Sequence, residues 1–182
     1  MKHFYVALIH HPVIREGSVI TSSVTNLDIH DISRVCSTYG LGGYFIVHPD
    51  EKMRSIASRL SGHWTDGAGK KNNPDRCEAI KILKIVESLE EVIEKIKSLE
   101  NREPLIVGTT ARKRKNSITI SDLKKKKNLP VLILFGTAGG IDDNYLDSLD
   151  FILEPIDAGS GYNHLSVRSA VSIFIDRLYV AE

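Results

Sequence analysis

Apolar residues follow two rhythms along this chain. Short unbroken runs, at Phe4 to Ile9, Tyr44 to Val47, Ile82 to Val86, Leu105 to Val107, Val131 to Phe135 and Phe151 to Leu153, have the length of buried strands. Between them the apolar positions recur at helical spacing. Ile29, Ile32, Cys36 and Tyr39 predict a helix over 26–39, with Thr25 or Asn26 as its N-cap and Gly40 as its stop. Met53, Ile56, Ala57 and Leu60 predict another over 50–60, and a short helical piece starts at Asp75. Ser88-Leu-Glu-Glu reads as a capping box, and the helix it opens carries Leu89, Val92, Ile93, Ile96 and Leu99 on one stripe. Strands alternating with helices predict an α/β fold, a mostly parallel sheet with helices on both faces.

The remaining stretches read as loops. Pro12 and Gly17 mark one, and Gly62 to Pro74, rich in Gly, Asn and Lys, is another. Gly67-Ala-Gly-Lys-Lys within it is no phosphate loop, because it follows a helix and lacks the Ser or Thr that such a loop gives to magnesium. More informative are three small-residue loops, each at the end of a predicted strand: Thr109-Thr-Ala, Gly136-Thr-Ala-Gly-Gly and Pro155-Ile-Asp-Ala-Gly-Ser-Gly. Each by itself fits an ordinary turn. Together they fit a ligand site, since ligands of open α/β sheets lie beyond the carboxyl ends of the strands. A nicotinamide fingerprint is absent, because Gly159 and Gly161 are followed by His164 where a third Gly belongs.

The 182 residues, 42% hydrophobic and 26% charged, suit one domain spanning 1–182. No apolar stretch approaches the roughly 20 residues that cross a bilayer, and the first residues read as a strand and not a signal peptide; a cytoplasmic location is expected. Cys36 and Cys77 lack metal-type spacing and read as buried thiols. No metal site is expected either. His10 and His11 are adjacent and so point to opposite faces, while His30, His63 and His164 belong to separate elements.

Net charge is only +1, yet eight of the 24 Lys and Arg side chains stand in Arg112-Lys-Arg-Lys and Lys124-Lys-Lys-Lys, with Asp122 the one acid beside them in sequence. Arg112, Lys113, Arg114, Lys115, Lys124 and Lys125 fit either a solvated face or a field that attracts a phosphate backbone. The last helix reads as buried on more than one side. Val167, Ala170, Val171, Phe174 and Leu178 make one stripe, and Leu165, Ile173 and Val180 fall outside it.

Three stretches resemble the SPOUT superfamily of S-adenosylmethionine-dependent RNA methyltransferases, most closely the domain related to tRNA guanine-N1 methyltransferases. Asp28-Ile-His-Asp-Ile-Ser-Arg-Val-Cys-Ser-Thr-Tyr-Gly-Leu is similar to the first motif of that superfamily, with Arg34, Tyr39 and Gly40 matching and Asp28 and His30 replacing the usual Asn and Gly. Leu132-Ile-Leu-Phe-Gly-Thr-Ala-Gly-Gly-Ile resembles the second, with Ala138 where many members carry Glu. Leu153-Glu-Pro-Ile and Asn163-His-Leu-Ser-Val-Arg-Ser-Ala resemble the third, with Ser166 for the commoner Asn.

The resemblance implies a trefoil knot over about 104–182, a homodimer, and methyl transfer from S-adenosylmethionine to tRNA or rRNA, at a base nitrogen or a ribose 2′-oxygen. It places the cofactor among Thr109, Thr110 and Ala111, then Gly136, Thr137, Ala138 and Gly139, then Pro155, Ile156, Gly161, Asn163 and Leu165. Arg34 and Asp157 are the implied catalytic residues, and the matching Arg faces the neighbouring subunit's reaction centre. Two other readings stay open: a noncatalytic RNA-binding module that kept the fold, and an α/β enzyme with an unrelated cofactor.

Overall fold

The computed structural model describes residues 2–115, 117–126 and 129–180. Its elements run β1 (Phe4–Ile9), β2 (Val13–Arg15), β3 (Ser18–Ile20), α1 (Asn26–Thr38), β4 (Gly43–Val47), α2 (Glu51–Thr65), α3 (Gly69–Asn72), α4 (Pro74–Ile80), β5 (Leu83–Val86) and α5 (Leu89–Glu100). Then follow β6 (Leu105–Gly108), β7 (Ser117–Ile118), α6 (Ile120–Lys124), β8 (Val131–Gly136), α7 (Asp143–Asp147), β9 (Phe151–Leu153) and α8 (Val167–Val180). Seven strands form one sheet in the order β5-β4-β1-β8-β6-β9-β7, and every pairing in it is parallel. The α/β reading of the sequence holds.

Burial on both faces explains why β1 and β8 read as continuous apolar runs rather than alternating ones. Phe4, Val6 and Leu8 enter the core on one face with Ile29 and Ile32 of α1, Leu123 of α6, and Val171, Phe174 and Ile175 of α8. Tyr5, Ala7 and Ile9 enter the other, with Val92 and Ile96 of α5 and Leu146 of α7. No helix among the described residues is long and apolar enough to cross a membrane.

The caps follow the sequence closely. Thr25 is the N-cap of α1, its hydroxyl accepting from the Asp28 N–H at 3.2 Å, and Gly40 leaves the helix at φ 62. Ser88 caps α5 by accepting from the Glu91 N–H, but the Glu91 carboxylate reaches back to the Glu87 N–H at 3.0 Å, one residue beyond the usual capping-box partner. Cys36 and Cys77 are buried free thiols.

Several elements escaped the sequence pattern. The loop after β1 is a short antiparallel hairpin, β2–β3, which stands outside the main sheet. The helix expected to stop at Leu60 continues to Thr65, and α3 occupies part of the Gly- and Lys-rich excursion. The two-residue strand β7 and the five-residue helices α6 and α7 are too short to show a period.

Candidate cofactor and RNA site

The strand order puts β8, β6 and β9 side by side and parallel, so the three small-residue loops leave the sheet at one edge. Thr109 starts the first loop and is buried, with its N–H and its hydroxyl both donating to the Leu134 carbonyl at 3.1 and 2.8 Å. The Thr110 hydroxyl accepts from the Arg112 N–H at 3.2 Å. Asn163, from the third loop, donates through Nδ2 to the Ala111 carbonyl at 2.6 Å. First and third loops are thereby tied together across 52 residues of chain.

The second loop is a tight turn in which the Gly140 N–H donates to the Thr137 carbonyl at 2.9 Å. Ala138 sits in it at φ 52, a left-handed conformation more often given to Gly. Gly136 ends β8, and a Cβ there would lie 2.5 Å from the Ile141 amide nitrogen. Gly139 donates to the Ile14 carbonyl at 2.8 Å, and a Cβ on it would lie 2.7 Å from that oxygen. The hairpin therefore fills the space beside Gly139, and close packing against Ile14 is one reason for a glycine there. The hairpin also donates from the Ile14 N–H to the Gly140 carbonyl at 2.9 Å.

In the third loop Pro155 and Ile156 are half-buried, whereas Leu165 is exposed and Gly161 takes φ 81. The Asp157 carboxylate accepts from the Gly159 N–H at 2.8 Å and meets Lys113 Nζ at 3.5 Å. The Gly159 hydrogen bond first, and then Lys113, lower its pKa. Both contacts favour the ionised form and make Asp157 a weaker base than a free carboxylate. Arg34 stands elsewhere, exposed on α1, in a groove of about 390 Å³ lined also by Asp31, Val35, Thr38, Tyr39 and Ser172. Among the described residues no hydrogen bond or ion pair joins Arg34 to Asp157 within one chain.

The loop residues suit an adenosyl group. Ala111, Ala138, Pro155, Ile156 and Leu165 offer apolar surface, and the backbone around Gly140, Gly159 and Gly161, where no heavy atom lies within 4 Å of a Cβ position, is open to a bound molecule.

The basic segment is less free than the sequence implied. Arg112 donates to Asp143 at 2.9 Å, and Arg114, only 17% exposed, donates to Asp147 at 2.5 Å and also contacts Asp143. These acids belong to α7, distant in sequence, so Asp122 is not the only acid near the cluster. Lys125 meets Asp122 at 2.8 Å, and Lys126 lies 4.4 Å from the Phe151 ring centre. Lys113 and Lys115 are exposed and Lys124 half-buried; Lys127 lies outside the described residues.

Sequence reading missed a buried polar group at the ends of β1 and β4. His10 Nδ1 is 2.8 Å from Ser22 Oγ, which in turn hydrogen-bonds Thr137 Oγ1. His48 donates through Nε2 to the Ser22 carbonyl at 2.9 Å. The only signal was a His directly after each of two predicted strands. His11 is exposed, as its alternation with His10 required.

A family model described as SAM-dependent RNA methyltransferase matches residues 3–180. A tRNA (guanine-N(1)-)-methyltransferase of Oleidesulfovibrio alaskensis is 43% identical over 178 residues, 97% of this chain; the chain spans only 42% of that protein's length. An uncharacterized protein of Aquifex aeolicus is 38% identical over 182 residues, covering 98% of this chain and 89% of that one. In fold the chain is similar to a probable methylase family protein from Haemophilus influenzae, with a TM-score of 0.63 at 22% identity over 99% of this chain and 66% of the other. Nearly the whole chain is matched in each comparison, and it belongs to the SAM-dependent RNA methyltransferase family.

Proposed function

We propose that this chain methylates tRNA as a cytoplasmic homodimer, with guanine N1 as the first atom to test because a relative of which it spans part bears that name. The observation that carries the reading is the convergence of the loops after β6, β8 and β9 at one sheet edge, two of them joined by Asn163 and Ala111. Thr109 to Ala111, Gly136 to Gly139, and Pro155, Ile156, Gly161, Asn163 and Leu165 hold S-adenosylmethionine. When bound, that cofactor supplies a methyl group already activated by its sulfonium.

The protein's task is alignment. Its loops fix the donor, Lys113 and Lys115 draw in the RNA backbone, and Arg34 orients a phosphate or steadies charge that develops on the nucleophile. Arg34 acts in the site of the neighbouring subunit. Asp157 serves as proton acceptor once RNA phosphate competes for Lys113. The whole of 1–182 forms one unit, and its C-terminal part is knotted, a reading to which the position of β9 between β6 and β7 is suited.

Incubation with methyl-labelled S-adenosylmethionine and total RNA, followed by nucleoside mapping, tests the activity. Label in a tRNA base supports it. Saturable cofactor binding with no transfer to any RNA would favour a noncatalytic module.

A further inference from the structure

We propose that His10 is a positioning residue for methyl transfer, acting through Ser22 to hold Thr137 and the second cofactor loop. The inference rests on the assignment of that loop to S-adenosylmethionine.

The buried Nε2 of His10, without a partner among the described residues, selects the direction of these hydrogen bonds. The Thr137 hydroxyl donates to the Ile9 carbonyl at 3.3 Å. With that proton used there, Ser22 donates to Thr137 and one of its two lone pairs accepts from His10 Nδ1, 2.8 Å away. His10 is therefore neutral, with its proton on Nδ1. Nε2 is buried without a partner among the described residues, which a bare lone pair tolerates better than an N–H.

His48 completes the arrangement from the other side. Its Nδ1 accepts from the Asp50 N–H at 3.1 Å, so Nε2 carries the proton and donates to the Ser22 carbonyl. Ser22 further donates its own N–H to the His10 carbonyl at 2.9 Å. One serine is thus gripped at its N–H, carbonyl and hydroxyl. Three residues later comes Thr25, the cap of α1, and α1 carries Arg34. Ser22 is the node at which the cofactor loop and the start of the Arg34 helix meet, and His10, fully buried, is what orients its hydroxyl.

The test exploits which ring nitrogen is used. In His10→Asn the side-chain amide falls where Nδ1 was; in His10→Gln it falls nearer the Nε2 position. Cofactor binding by calorimetry and methyl-transfer kinetics are measured on the wild type, on these variants and on His10→Ala, with melting curves to verify folding. His10→Ala should raise the Kd and the KM for S-adenosylmethionine by about fivefold or more, with the KM for RNA unchanged. Asn should recover most of that loss and Gln little. Should His10→Ala not fold, Ser22→Ala removes the same link from a half-buried position and should show the same split. Equal cofactor binding by wild type and folded His10→Ala, or Asn and Gln behaving alike, would overturn the inference. Failure of the wild type itself to bind would instead remove the cofactor reading, and the inference with it.

Discussion

Arg168 of α8 reaches Asp28 of α1 across 140 residues of chain, Nη1 to Oδ1 at 3.3 Å, while its Nε lies 3.2 Å from Asp31 Oδ2. The Asp28 side chain is 5% exposed, and its other oxygen accepts from the Thr25 hydroxyl at 2.6 Å. Asp28 is therefore a buried carboxylate whose cationic partner is supplied by the last helix. Truncating that partner leaves a buried carboxylate uncompensated. Arg168→Ala should cost about 3 kcal/mol, read as a lower midpoint in urea with an unchanged slope, whereas Arg168→Lys should recover part of it. An unchanged midpoint in Arg168→Ala would show that the pair contributes nothing.

Arg34 lies in the same helix but is exposed and makes no ion pair among the described residues. Arg34→Ala should leave the melting temperature and cofactor affinity within error of the wild type, because surface substitutions away from such pairs change stability by less than about 0.5 kcal/mol. Methyl transfer should fall by about 100-fold or more, the size expected for losing a transition-state contact. Full activity in a folded Arg34→Ala dimer would exclude the role.

Gly139→Val tests the hairpin rather than open space. Its Cβ would meet the Ile14 carbonyl at 2.7 Å, so the second loop and the hairpin must separate. Both cofactor affinity and melting temperature should drop together. Weaker binding with an unchanged melting curve would return the glycine to a ligand role.

The basic segment should divide into two classes by salt dependence. Replacing exposed Lys113 or Lys115 with Gln should lower the log-log salt slope of RNA binding by roughly 0.7 to 0.9 per lost phosphate contact. Arg114→Gln should instead reduce stability, because Arg114 is largely buried against Asp143 and Asp147. Equal slopes for wild type and both Lys variants would leave these lysines as a solvated face.

Acid should reveal the buried His10. Burial first, then the neighbouring His48, lower its pKa from 6.5 to about 4, with Asp28 opposing. The unfolded chain takes up the proton first as pH falls, so stability is lost between pH 6.5 and about 4, by roughly 3 kcal/mol at the bottom of that window. Above pH 6.5 this contribution is constant. His10→Asn has no such proton to take up, and its stability should fall less steeply over the same window. Parallel curves for the two proteins would show that His10 titrates normally.

What the sequence determined by itself was the longer elements with a clear local period or cap. The core strands from Phe4 to Ile9 and from Val131 to Phe135, the Thr25 and Ser88 caps and the three small-residue loops each depend on neighbours a few residues away, so the pattern revealed them. The burial of Ile29, Ile32 and Cys36 followed from helical spacing alone. Tertiary structure decided which charges are free and which polar groups are buried together. Arg114 and Asp143 are 29 residues apart, Ser22 and Thr137 are 115, and Asp28 and Arg168 are 140; no local pattern encodes those pairings. They arise because parallel crossovers bring distant strand ends to a common edge, where a desolvated charge or hydroxyl is stable only with the partner that the fold places beside it.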